Sequence, residues 1–150
     1  MPTYKKLLKN REGDTIIPAF GGNITADDIN LSTLVEKVGT DSNYCLKYAD
    51  GTMIACVKKT SSISFAEWGS ITESETVNPP NYAVSFVATP VCTYSVQDPG
   101  LQVWFGTGSG RTSTSYAASA SKGPGVVCYR TTTGNTSVTI EWIAIGRWKA

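Results

Sequence analysis

From residue 43 onward the chain alternates apolar and polar positions with a period of two, in short runs broken by Gly, Pro, Asn and Asp. The clearest run is YCLKYADGTMIACV, residues 44–57, in which two stretches of β-formers flank Asp50-Gly51. With this pair as the centre of a type I′ turn, which needs positive φ at both positions, the spacing predicts a hairpin. Lys47 then faces Ile54, Leu46 faces Ala55, and Cys45 faces Cys56. One face of this hairpin carries Tyr44, Leu46, Tyr48, Met53, Ala55 and Val57, and the wetter face carries Lys47, Thr52, Ile54, Lys58 and the two cysteines. Further strands are predicted over 63–68, 82–88, 91–96, 101–105, 125–130 and 136–145. In the last of these, Val138, Ile140, Trp142 and Ala144 alternate with Thr139, Glu141, Ile143 and Ile145, which predicts a central strand buried on much of both faces. Strands at this spacing with almost no helical period indicate an antiparallel sandwich or barrel, and an all-β, mostly antiparallel β-sandwich is expected.

The first 43 residues are different. They hold a short apolar piece at 15–20, a Gly21-Gly22 break, and ITADDINLSTLVEKV. Thr25 to Asp28 reads as a capping box with an Ile24–Ile29 staple, sufficient for a helix of one or two turns. Residues 1–43 carry too little apolar surface to fold alone, so they are expected to dock on the main domain, a neighbouring copy or a larger assembly. The domain proper is expected to span 44–150.

Charge and composition narrow the class. A net charge of +1 gives no electrostatic reason to expect nucleic acid or an anionic membrane as partner. No apolar run approaches the ~20 residues of a membrane span. The start, MPTYKKLLKNREG, lacks the apolar core of a secretory signal, so the chain is expected to be kept in a cytoplasm until something releases it. The predicted register places Cys45 and Cys56 at a hydrogen-bonded pair with Cα atoms ~5.5 Å apart, which does not forbid a disulfide. Side chains sit further apart at such pairs, and a reducing compartment favours ordinary thiols.

The chain contains no histidine, which removes the commonest general base, the Ser-His-Asp triad and most zinc sites. The four cysteines (45, 56, 92 and 128) form no Cys-x-x-Cys pair, so no metal or other cofactor is expected. Glu73 with Glu75, or Glu67 and Glu141 beside aromatics, are the carboxylates to weigh for glycoside hydrolysis. Solubility explains them equally, and the chain is expected not to be an enzyme. GTGSGRTST mimics a phosphate loop but lacks the Gly-Lys-Ser/Thr of a P-loop and a convincing helix after it. Its neighbours are more informative: Trp104, Arg111 and Tyr116 flank a run of Gly, Ser and Thr, as in sites that stack an aromatic on a pyranose ring and surround it with hydrogen-bonding groups. These three are the candidate glycan-binding residues. The alternative is that Trp104 is a core residue of its strand and the rest a solvated turn.

YCLKYADGTMIACVKK, a following Trp, PPNYAVSFVATPVCTYSV and the closing EWIAIGRWKA resemble the tip domain at the end of phage and prophage tail fibres. The opening YKKLLKNREGDTIIP is also similar to the start of short receptor-binding proteins of phages of Gram-positive hosts. The resemblance covers residues 44–96 and 137–149 well and 97–136 poorly. It implies a homotrimeric β-sandwich on a virion tail, assembled in the host cytoplasm, that recognises a bacterial surface polysaccharide or protein. Residues 1–43 would join it to other tail or baseplate proteins, and Trp68 and Trp148 would pack the sandwich or the trimer contact. Two alternatives stand beside it: a structural cap or connector of a tail without ligand, and a polysaccharide depolymerase.

Overall fold

The computed structural model describes residues 34–97, 103–108 and 117–150, with the backbone of 8–9 and 15–17. The chain divides into two compact units, Met1–Val35 and Glu36–Ala150. In the first, β1 (Leu8–Lys9) and β2 (Thr15–Ile17) form an antiparallel pair with Leu8 opposite Ile17. The Thr25–Asp28 capping box lies outside the described residues.

Eight strands build the second sheet. They are β3 (Val35–Thr40), β4 (Asn43–Tyr48), β5 (Thr52–Trp68), β6 (Ile71–Ser74), β7 (Val91–Gln97), β8 (Trp104–Thr107), β9 (Val126–Arg130) and β10 (Gly134–Arg147). The order is β3-β4-β5-β6-β9-β8, with β10 pairing both β5 and β7. The fold is all-β and antiparallel, as the period of two requires. β5 runs unbroken through what the sequence divided into a hairpin strand and a separate strand at 63–68, and β10 pairs with it from Gly134↔Phe65 to Arg147↔Thr52.

The β4–β5 hairpin is one residue out from the predicted register. Lys47 faces Met53, Leu46 faces Ile54, Cys45 faces Ala55 and Tyr44 faces Cys56. The turn explains the slip. Gly51 N–H donates to the Tyr48 carbonyl at 3.0 Å, and Gly51 has φ +91°. Asp50 stays at negative φ, because no residue other than glycine among those described has a positive one. The connection is therefore a type I turn closed by a glycine bulge, three residues long instead of two. The Asp50 carboxylate accepts from Thr52 N–H at 2.8 Å and Thr52 Oγ1 at 3.0 Å, an arrangement that favours this turn over type I′. A shift of one residue exchanges the faces of β4 relative to β5. Cys45 is buried beside Ala55, whereas Cys56 lies on the opposite face, so the two cannot bridge and all four cysteines are free thiols.

The core lies on one side of the sheet. Met53, Ala55 and Val57 of β5 meet Val138, Ile140, Trp142 and Ala144 of β10, all essentially inaccessible, and the Trp142 indole N–H donates to the Pro124 carbonyl at 2.9 Å. β10 is central, as predicted, but only this face is buried. On the other, Ile143 and Ile145 are 44% and 50% exposed because no second layer of this unit's described residues covers them. Residues 82–88 are not a strand. Their backbone donors go to coil carbonyls instead of a ladder: Tyr82 N–H to Ser121, Phe86 N–H to Ala120 and Val87 N–H to Arg147, each at 2.8 Å. The rings of Tyr82 and Phe86, 5.2 Å apart and edge to face, plug the core. Elsewhere the sheet curls until β7 and β8 meet. Tyr94 stands edge-on to Phe105 at 5.8 Å, and its hydroxyl lies 2.8 Å from Thr107 Oγ1. The two wings thus enclose the core as a sandwich does.

Candidate functional site

The long reach of β5 carries its last residue, Trp68, beyond β10. There Gly69-Ser70 forms a two-residue turn into β6, with Trp68 opposite Ile71. Gly69 has φ +62° and Ser70 does not have positive φ, the pattern of a type II′ turn, so glycine is required at the first position. Period-two alternation then sets one face across four strands: Ala66 and Trp68 on β5, Glu73 on β6, Tyr129 on β9 and Trp104 on the edge strand β8. Glu73 is directly opposite Tyr129, and Tyr129 directly opposite Trp104.

Trp68 and Trp104 are 56% and 53% exposed, two large indoles left open on one face of the sheet. The Trp68 and Tyr129 rings are 6.1 Å apart and tilted by 39° across β6. On β6, Ile71 stands opposite Trp68, and Glu73, on the same face and only 6% exposed, lies between Ala66 and Tyr129. The Tyr129 phenol is held above the usual range, first by burial and then by the charge and hydrogen-bonding oxygens of Glu73 beside it. The result is a shallow aromatic platform over a buried carboxylate. Such rings cover the apolar face of a sugar, while tilted neighbours and an oxygen acceptor read its hydroxyls.

Of the three residues predicted to bind glycan, Trp104 stands on this platform and is not a core residue of its strand. Arg111 and Tyr116 lie outside the described residues. Trp148 packs as expected, its indole N–H donating to the Tyr48 carbonyl at 3.0 Å, with the Lys47 and Lys149 ammonium groups 4.1 and 4.9 Å from its ring centre. Trp68 does not pack inside the sandwich. Its place was readable from Gly69-Ser70, a two-residue hairpin turn that leaves the preceding side chain at a strand end. Tyr129 was readable from the alternation in VVCYR, which sets it on the face away from Val126 and Cys128.

The carboxylates weighed for hydrolysis do not share surroundings. Glu73 is buried and Glu75, just past β6, is exposed; Glu67 is exposed on the face away from Trp68; Glu141 pairs with Lys58 at 2.8 Å. Among the described residues, no group of three or more His, Cys, Asp or Glu could hold a metal ion, and no helix is long and apolar enough to cross a membrane.

A second exposed apolar region lies on β5, β10 and β7. Ile54, Ile145 and Val91 form one cross-strand row and Cys56, Ile143 and Thr93 the next. Val91 is 81% exposed. A groove of about 450 Å³ runs along it between Tyr44, Ile143 and the Lys58–Glu141 pair. The Tyr44 phenol there is raised above its ordinary range, chiefly by its hydrogen bond with the Cys56 thiol.

No family model and no curated protein matches the chain. Among solved structures it is similar to an N-truncated R1-type pyocin tail fibre, at 18% identity and a TM-score of 0.46, over 85% of this chain and 99% of that one. It is also similar to the C-terminal part of the P. aeruginosa R1 pyocin fibre, at 17% identity and a TM-score of 0.45, over 90% of this chain and 36% of that one. At these values no residue of either fibre is carried over to a position in this chain.

Proposed function

We propose that the chain is the receptor-binding tip of a phage or phage-like tail fibre and that it holds a bacterial surface glycan on Trp104, Tyr129 and Trp68. The observation that carries this reading is the platform itself: two half-exposed tryptophans flank a tyrosine over a buried carboxylate, on a rigid sheet. Exposed indoles cost solubility and contribute nothing to the core, which a binding surface explains and a solvated turn does not. The motif resemblance at both ends of the domain supplies the biological setting. The protein binds and does not cleave.

The reading extends to assembly. The aliphatic rows through Val91, Ile143 and Ile145 are where copies of the chain meet in a homotrimer, while residues 1–43 join it to other tail or baseplate proteins. The particle is put together in the bacterial cytoplasm and its tail carries the protein outside. Three linked sites raise avidity by ~10² to 10⁴ over one weak site where the geometry allows simultaneous engagement.

Adsorption of the fluorescently labelled full chain to a panel of bacterial cells tests the reading. The wild type should adsorb to some strains, and Trp104→Ala and Trp68→Ala should lose adsorption while keeping the wild-type unfolding curve. Adsorption that survives both substitutions would move the site elsewhere, and a ligand-free cap would adsorb to no strain.

A further inference from the structure

We infer that the platform selects a glycan bearing a positively charged group, such as an unacetylated amino sugar or a choline substituent. The inference rests on the reading of the platform as the receptor site, and it concerns the ligand's charge.

The first observation is Glu73. Its side chain is on the platform face, the residue is 6% exposed, and among the described residues no lysine or arginine pairs with it. A carboxylate taken out of water without a counter-charge is costly, and one hydroxyl donor offsets only part of that cost. The cation next in sequence, Arg130, points to the other face, where its guanidinium carbon lies 4.2 Å from the Phe65 ring centre. Lys58 and Lys47 are bound to Glu141 and Glu36. Among the described residues, then, no cationic side chain is paired with Glu73.

The second observation is the rings. The faces of indole and phenol are the negative ends of their quadrupoles, and a cation within ~6 Å of such a face is attracted to it. Trp68 and Tyr129 are 6.1 Å apart and tilted by 39°, so the two rings pack against each other and a group seated on the pair meets both of them. Two rings with a carboxylate beside them present a surface of negative potential to an ammonium group. A neutral hexose would use the stacking area but leave the carboxylate unpaired.

The test is intrinsic tryptophan fluorescence of the full chain, titrated with a glucosamine hexamer and with its fully N-acetylated counterpart, which share a backbone and differ in charge. The amine form should bind at least tenfold more tightly. Glu73→Gln, which keeps the shape, should remove that preference while Trp104→Ala weakens both ligands. Because a substitution at a buried site can disturb folding, competition on the wild-type protein provides a second readout: choline chloride should displace the amine hexamer and sodium chloride at equal ionic strength should not. Equal affinity for the two hexamers, or preference for the acetylated one, overturns the inference and leaves the platform reading standing. Failure of both hexamers to bind overturns the inference; if every strain also fails to adsorb the protein, the platform reading falls with it.

Discussion

The two exposed apolar regions occupy the same face of the same strand and have opposite chemistry. Ile54 and Trp68 are both even-numbered positions of β5, separated by about 45 Å of extended strand. Around Ile54 the neighbours are Ile145, Val91 and Ile143: branched, aliphatic and flat, with polar groups kept to the rim. Around Trp68 they are Tyr129, Trp104 and Glu73, broad rings whose edges and buried carboxylate can hydrogen-bond. An aliphatic sheet face suits another protein surface, which offers similar area and no directional demand. An aromatic surface over a polar group suits a sugar, which has one apolar face and a rim of hydroxyls. Exposed hydrophobicity is thus two features here, and the side-chain type separates them.

Substitutions should separate them further. The largest effect should come from the core on the opposite face of the sheet: Trp142→Ala removes a fully buried indole and leaves the Pro124 carbonyl without its donor, and should cost ~3 to 5 kcal/mol in urea unfolding. Trp104→Ala, at 53% exposure, should change stability by less than ~0.5 kcal/mol and reduce glycan affinity roughly 10- to 100-fold. Ile145→Lys should do the reverse, dropping the mass measured by light scattering to that of one chain while the affinity of a single site is unchanged. If Ile145→Lys weakened the single site or Trp104→Ala dissociated the trimer, the division into two surfaces would fail.

The smallest effects should appear on raising the pH. The Tyr129 and Tyr82 phenols are both raised from 10.0, foremost by burial, with the Glu73 charge and hydrogen bond adding at Tyr129 and the Cys92 hydrogen bond at Tyr82. A raised phenol favours the neutral form in the folded state. Its contribution is fully present below pH ~10 and is lost as pH rises through the folded value. Spectrophotometric titration should therefore show these two hydroxyls ionising after the exposed tyrosines, with their own contribution to stability falling only above pH ~10. Early ionisation of Tyr129 would show that its hydrogen bond to Glu73 does not persist in solution.

Strand alternation made most of the sheet legible, and Trp104 with it. What escaped depended on single residues and distant partners. Asp50-Gly51 fits two turns equally by composition, and the choice rests on the Asp50 carboxylate capping Thr52, a three-dimensional contact; the register of β4 follows from it. The stretch 82–88 alternates like a strand, yet its donors bond to residues 120, 121 and 147, which local pattern does not reveal. Ile143 and Ile145 read as buried because apolar residues on both faces usually mean two covered faces. In one copy of the chain they are open. Trp68 and Tyr129 lie on strands 60 residues apart, and only the β5-β6-β9 order brings their rings together.

The most direct test of the central claim is surface plasmon resonance on polysaccharide purified from a strain that adsorbs the protein, with the wild type, Trp104→Ala and Ile145→Lys measured side by side. The wild type should dissociate slowly, Trp104→Ala should bind at least tenfold more weakly, and Ile145→Lys should behave as a fast-dissociating single site of intact affinity. Wild-type binding by Trp104→Ala would contradict the claim.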